Sequence, residues 1–486
     1  MPNSHVDVLI VGAGISGIGA AYHLQRDCPQ KSYVILEGRA ALGGTWDLFR
    51  YPGIRSDSDM YTLGFSFKPW TEQKAIADGP AILKYLEETA EENHIREKIQ
   101  FNHQVKSATW STKNACWTIE VAQGEASASV EYTCNFLFLC GGYYKYEAGY
   151  TPDFPGMADF KGQIIHPQKW SDDIDYRNKK VVIIGSGATA VTLVPEMARQ
   201  ATHVTMLQRS PTYMLSRPSE DAFANRLRKI LPAMLAYDIV RWRNVLLTMF
   251  LFDRSKKNPQ GMKKYLINQV KKRLSKDYDV DTHFTPTYGP WDQRLCLVPD
   301  NDFFEALNNN SAAVVTDHID TFTEHGIKLK SGQELEADMV VTATGLSLEV
   351  LNGITVNVDG KIIEPAKTYM YKGMMYNDIP NLATSFGYTN ASWTLRADLT
   401  CTYVCRLLNH MEQTGMRQCM PLLTDPTMKQ TAWFNLSSGY VQRAADKLPR
   451  QGDRNPWMAP QNYLLDIKNL KFGKVEDGTM EFSNRH

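Results

Sequence analysis

Three observations predict an α/β fold with two parallel-sheet domains. Residues 6–11 (VDVLIV) and 181–184 (VVII) are short, mostly apolar runs, and each leads into a glycine-rich turn and then a helical pattern. Between about 212 and 285, apolar residues instead recur at helical spacing. The 486-residue length suits two or three domains of roughly 100–200 residues each. Fifty-three basic and 53 acidic residues give a formal net charge of zero, which argues against a general nucleic-acid binder.

The first unit runs strand, turn, helix, strand, acid. Gly12-Ala-Gly14-Ile-Ser16-Gly17 follows the first run, a helical pattern passes through Ala20, Ala21 and Leu24, and Glu37 closes the next apolar run. Gly12 permits the tight turn, Gly14 the close approach of a pyrophosphate, and Gly17 the packing of helix on strand. The helix N-terminus attracts phosphate, and Glu37 accepts from ribose hydroxyls. An acid at this position suits a ribose without a 2′-phosphate, as in FAD.

The second unit repeats the pattern with a different ending. Gly185-Ser186-Gly187-Ala188-Thr189-Ala190 opens a helix through Val194 and Met197, and the next strand closes on Gln208 and Arg209 rather than on an acid. A carboxylate would repel a 2′-phosphate, whereas Arg209 would pair with it. The chain is thus expected to hold FAD at one Rossmann-like site and NADPH at the other.

Asp338 precedes a buried-strand pattern that ends in Ala343-Thr344-Gly345, and Phe136-Leu-Phe-Leu-Cys-Gly141-Gly142 reads as a degenerate copy. These two markers set expected boundaries at 1–145 (FAD domain, first segment), 146–345 (NADP domain with the insertion) and 346–486 (FAD domain, second segment).

Two longer motifs carry chemistry. Phe160-Lys-Gly162-Gln-Ile-Ile-His166-Pro-Gln-Lys-Trp170 resembles the FxGxxxHxxxW fingerprint of class B flavin monooxygenases, in particular the Baeyer-Villiger branch. Gly43-Gly-Thr45-Trp46-Asp47-Leu48-Phe-Arg-Tyr51-Pro-Gly53-Ile-Arg55-Ser56-Asp57 is similar to that branch's [A/G]GxWxxxx[F/Y]P[G/M]xxxD motif at every specified position. Within the family, the carboxy-terminal Arg450-Gln-Gly-Asp-Arg-Asn-Pro-Trp457 is similar to the ethionamide-type and long-chain alkane-degrading enzymes.

The resemblance implies an enzyme that inserts one atom of O2 beside a ketone carbonyl, giving an ester through a flavin peroxide, with sulfide oxidation as a side activity. The alternative is N- or S-oxygenation, or long-chain alkane degradation, although unactivated C–H bonds are poor targets for such an oxidant. A fixed cation would stabilise the anionic oxidant, and arginine keeps its charge when buried where lysine need not. The segment Trp291-Asp292-Gln293-Arg294-Leu295-Cys296 resembles the one that carries the family's catalytic arginine, which implies Arg294 as that cation and Asp57 as its orienting partner.

By the same resemblance Thr45, Trp46, Asp47 and Leu48 line the flavin together with Asp57, Arg55, Ser56 and Asp57 face NADP, and the Val105 backbone contacts the adenine of FAD. His166 is assigned to a hinge between domains, and Trp170 to packing. Two departures stand out. Ser171 and Asp172 follow Trp170 where the full fingerprint has Pro or Asp directly, and Gln293 replaces a lysine that commonly helps hold the 2′-phosphate.

The insertion places Leu227, Ile230, Leu231, Met234, Leu235, Ile239, Trp242, Leu246, Met249 and Phe250 at helical spacing among many basic residues. This predicts separate helices, broken at Pro232, whose stripe packs on the core or walls a substrate tunnel. A peripheral membrane contact is the sharper reading.

Apolar runs too short to span a bilayer, and the absence of a basic leader before residue 8, give a cytoplasmic expectation. The eight cysteines are scattered, with Cys401 and Cys405 read as core thiols. Residues 32–46 lack the cysteine pair of a flavoprotein disulfide reductase, and a peroxide-stabilising arginine argues against a mere redox-switch module. No metal site is expected.

Overall fold

The computed structural model describes residues 4–124, 128–293, 295–433 and 437–484. Two sheets organise them. In the first, Ser4–Val11 lies between Tyr33–Leu36 and the end of Ala128–Leu139, parallel to both. An antiparallel arm of His103–Ser111, Cys116–Gln123 and Ala128–Leu139 extends this sheet. Late segments complete it: Thr355–Val358 pairs with His103–Ser111, and Leu382–Thr384 with Ala128–Leu139. Val8, Leu9 and Ile10 have no exposed surface, as expected of a parallel strand covered on both faces.

The second sheet is wholly parallel. Its order is Ala312–Thr316, His203–Gln208, Lys180–Ile184, Met339–Thr342 and Gln163–Ile165. Both glycine turns stand at the carboxyl ends of central strands, where the strand order reverses and ligands bind in open α/β sheets.

Helix Ile15–Asp27 packs beside the 22-residue helix Trp393–Thr414, through residues such as Leu24, Val404 and Leu408. Cys401 and Cys405 are buried in that core.

Between strands of the second sheet the chain forms helices Ala222–Leu227, Ala233–Lys257, Pro259–Lys271 and Val280–Phe284. Pro232 caps the long helix at its N-terminus, so the expected break falls where its ring would obstruct a continuing helix.

The burial of that helix differs from expectation. Leu235, Ile239, Trp242, Leu246 and Phe250 are exposed, while Ala236, Tyr237, Val240, Arg241, Asn244 and Val245 are buried. The reason is polar. The short helix Met60–Leu63 ends with carbonyls that need donors. Arg241 Nη1 donates to the carbonyls of Tyr61 and Gly64, each at 2.8 Å, and Nη2 lies 3.6 Å from Asp398. The Tyr237 hydroxyl donates to the Phe65 carbonyl at 3.0 Å. No helix among the described residues is long and apolar enough to cross a membrane.

Arg241→Met should therefore lower stability by about 3–5 kcal/mol, because it strands buried carbonyls and weakens the neutralisation of Asp398. Leu246→Ala, on the exposed face of the same helix, should stay within about 0.5 kcal/mol of the parent. Chemical denaturation of both variants checks the contrast.

Candidate active site

The first glycine turn opens into a groove of about 540 Å³ lined by Gly12, Gly14, Ser16, Glu37, Thr45, Trp46, Leu48 and Val105, among others. Gly12 has φ +98°, and a Cβ on Gly17 would lie 1.9 Å from the Gly12 carbonyl oxygen, so helix and strand meet without room for a side chain. Gly14 and Gly44 form the lips of a narrow slot: a Cβ on Gly44 would sit 3.1 Å from the Gly14 Cα. Such a slot admits a pyrophosphate at a helix N-terminus.

Glu37 is 6% exposed and accepts from the backbone N–H of Ala13 at 2.8 Å and of Arg39 at 2.9 Å. Burial pushes its carboxyl upward against the pull of those two bonds. Each oxygen retains a lone pair for a ribose hydroxyl. The fit to an FAD without a 2′-phosphate is good on all three counts: glycine slot, helix terminus and acid.

Gly17 and Asp47 stand behind this groove rather than in its wall. Asp47 pairs with Arg39 at 2.5 Å and with Arg50 at 2.9 Å, which fixes the turn that presents Thr45 and Trp46. Three contributors escaped the sequence reading. Trp393 Nε1 donates to Ser16 Oγ at 2.7 Å, and Tyr146 places its hydroxyl 3.3 Å from where a Gly44 Cβ would be. Asn352, at φ 56°, donates to the Gly142 carbonyl at 3.0 Å and leaves a buried Oδ1 unpaired among the described residues, in the groove wall. Their only signal is the Asn352-Gly353 pair, which marks a turn without marking a ligand.

At the second turn, Gly185 has φ +136° and a Cβ there would lie 2.3 Å from the Ala343 oxygen, whereas one on Gly187 would meet open space. Ala190 is fully buried, and the Ser186 hydroxyl bonds the Ser210 carbonyl at 3.1 Å. The two residues that end the strand part company. Gln208 is buried, and its amide donates to the His283 carbonyl and the Thr316 hydroxyl, so its side chain serves packing. Arg209 is exposed, available to a 2′-phosphate beside helix Ala188–Met197.

Residues 43–57 connect the two grooves. Thr45 and Trp46 line the first, and a Cβ on Gly53 would meet Glu196 and Thr192 of the second domain's helix at 3.0 and 3.4 Å. The Tyr51 hydroxyl is pushed up to about 12 by burial and by the Asp57 carboxylate, against a hydrogen bond with Thr189. Arg55 is ion-paired with Asp302 at 2.5 Å, and Ser56 is buried with its hydroxyl bonded to the Ser58 carbonyl.

Asp57 is exposed into a second cavity of about 690 Å³. Insertion residues Met249, Phe252, Met262 and Leu266 form its apolar wall, Ser392 and Leu395 border it beside the Trp393 that lines the first groove, and Trp291 and Leu295 complete it. Trp291 has φ 70°, with its ring 5.5 Å from that of Phe252. Asp292 accepts from Gly289 N–H at 2.9 Å and lies 3.5 Å from Lys256. Arg294 itself lies outside the described residues, between Gln293 and Leu295.

His166 lines neither cavity. Its Nδ1 accepts from Gln168 N–H at 3.2 Å, which places the proton on Nε2, and Nε2 donates to the Gly345 carbonyl at 3.1 Å. A Cβ on Gly162 would collide with the Asp338 oxygen at 2.4 Å, and Phe160 and Trp170 pack in separate cores.

Gly17→Ala should abolish FAD retention, read as the flavin-to-protein absorbance ratio after gel filtration. Arg209→Ala should raise the KM for NADPH roughly 10- to 100-fold, the worth of a charge-assisted hydrogen bond, and leave that for NADH unchanged. Steady-state kinetics with both nucleotides measures it.

Comparison with known proteins agrees with these grooves. Residues 65–281 match the flavin-binding monooxygenase-like family and residues 10–75 an NAD(P)-binding Rossmann-like domain. The chain is 52% identical over 483 residues to the FAD-containing monooxygenase EthA of Mycobacterium tuberculosis, covering 99% of this chain and 98% of that one. It is 49% identical over 484 residues to the probable FAD-binding monooxygenase AlmA of Acinetobacter baylyi, covering 99% and 97%. In fold it is similar to cyclohexanone monooxygenase from Rhodococcus sp. Phi1, at TM-score 0.77 and 19% identity over 99% of each chain. It is also similar to an NADP-bound steroid monooxygenase, at TM-score 0.75 and 20% identity over 99% and 100%. The chain therefore belongs to the class B flavin monooxygenases, as a relative of EthA and AlmA, and is an FAD- and NADPH-dependent oxidoreductase that spends O2 on small organic substrates.

Proposed function

We propose that this enzyme oxygenates bulky or long-chain apolar substrates, in the first place at an electron-rich heteroatom such as a sulfide sulfur. The observation that carries this reading is the 690 Å³ cavity beside the flavin groove, walled by the insertion. Bound FAD, reduced by NADPH, supplies the activation of O2. The protein must then position the substrate, exclude water and control one proton.

Apolar residues of the insertion do the first two. Val245, Met249, Phe252, Met262 and Leu266 present a surface that an alkyl or aryl group can cover. Asp57 and Asp59 bring carboxylates to the same wall, and Tyr51 beside Asp57 keeps its hydroxyl proton up to about pH 12. An oxidant that keeps its proton donates oxygen to sulfur or nitrogen. The relatives' names, monooxygenases without a ketone substrate, are compatible with this.

Ketone-to-ester insertion is the second reading, and the two long motifs favour it. It requires an anionic oxidant held by a fixed cation, the role expected of Arg294 with Asp57. Direct hydroxylation of alkanes is chemically the least suited, and a long-chain sulfide or ketone fills the same cavity.

Incubation with NADPH and a matched pair, a long-chain sulfide and the ketone of equal length, tests the order. Sulfoxide should be the main product, and ester formation alone would reverse it. Arg294→Ala should cost ester formation about 100-fold or more while sulfoxide formation changes little, as product chromatography would report.

A further inference from the structure

The insertion's long helix Ala233–Lys257 carries an apolar stripe that the rest of the described chain leaves largely open. Leu235, Ile239, Trp242, Leu246 and Phe250 are 39–61% exposed. At about 100° per residue, these five fall within an arc of roughly 80° over four turns. Apolar surface of this extent, contiguous and rimmed by charge, marks an interaction site.

The rim is strongly basic. Residues 222–273 include 13 Lys and Arg against only Asp238 and Asp253, in a chain whose formal charge is zero. Arg226, Lys229, Arg254, Lys256, Lys257 and Lys264 are all exposed. A second copy of this surface would oppose like charges, whereas an anionic lipid surface complements both the charge and the apolar stripe.

The stripe also borders the mouth of the substrate cavity. The ring of Trp242 is 5.9 Å from that of Tyr463, which lines the cavity, and Leu464 and Leu465 follow it at 44% and 49% exposure. On the helix, Met249 lies between the stripe and the cavity-lining Val245 and Phe252. Tyr265, from the next helix, lines the cavity yet is 52% exposed.

We propose that this face seats on an anionic membrane surface with the cavity mouth turned toward the lipid, so that apolar substrate enters from the bilayer. The contact is interfacial and spans nothing. It does not depend on which oxygenation the enzyme performs.

Sedimentation of the full, FAD-loaded protein with phosphatidylcholine vesicles, with and without phosphatidylglycerol, tests it. Binding should be at least tenfold tighter with phosphatidylglycerol and should weaken with added salt. The double variant Leu246→Glu with Phe250→Glu should lose binding at least tenfold yet retain FAD and its NADPH oxidation in the absence of vesicles. Arg254→Glu with Lys264→Glu, which leaves the stripe intact, should lose the preference for phosphatidylglycerol. No binding to either vesicle, or equal binding to both, would overturn the proposal. So would a parent dimer that the stripe variant dissociates while neither protein binds vesicles, which would assign the face to a second copy.

Discussion

Two linkers join the sheets, and one carbonyl carries much of the pairing between them. The oxygen of Gly345 accepts from Tyr150 N–H at 3.0 Å and from His166 Nε2 at 3.1 Å. Around it, Lys145 N–H donates to Ser347 and the Thr344 hydroxyl to Tyr150. Gly345 itself has φ +110°, and Gly149 leaves room for the imidazole, since a Cβ there would lie 2.0 Å from the ring. Burial lowers the affinity of His166 for a second proton, which agrees with Nδ1 acting as an acceptor. A neutral ring that bonds on both nitrogens ties the segment after Gly162 to the chain's return at Gly345. That accounts for a histidine in the fingerprint without giving it a chemical step.

The parts that sequence made legible are those where backbone sterics admit few residues. The two glycine turns, and the contact of the second with residue 343, rest on positions where a Cβ would collide, as at Gly17 and Gly185. Such positions announce themselves in one chain without an alignment. The positions of Glu37 and Arg209, though not their roles, were legible for a related reason: each follows a strand whose register fixes its place beside the turn.

What stayed hidden depends on partners distant in sequence. The insertion pattern read as a stripe for the core, but the long helix is apolar on more than one side, and periodicity alone could not choose between faces. Arg241 decided it, because its guanidinium satisfies carbonyls about 180 residues earlier in the chain. Gln208 stood next to Arg209 in the motif, yet the helix carrying His283 claimed its amide. Asn352 and Trp393 reach the flavin groove from the late segment, and nothing local to either residue marks a cofactor.

One consequence joins these observations. The insertion is anchored to the flavin domain by buried polar bonds at Tyr237 and Arg241 beside the apolar packing of Val240, so hydrogen-bond geometry as well as apolar area specifies its docked face. That leaves the apolar residues of the same helix available for two other surfaces, the cavity wall and the exposed stripe beside it. An enzyme that must keep water from its oxidant while admitting apolar molecules needs an entrance wetted poorly by solvent. A helix anchored by polar groups and apolar elsewhere meets both demands, and the wall residues Val245, Met249 and Phe252 can vary in size without loosening the anchor. On the function proposed above, selectivity among substrates is set on the insertion, separately from the glycine grooves proposed to hold the cofactors.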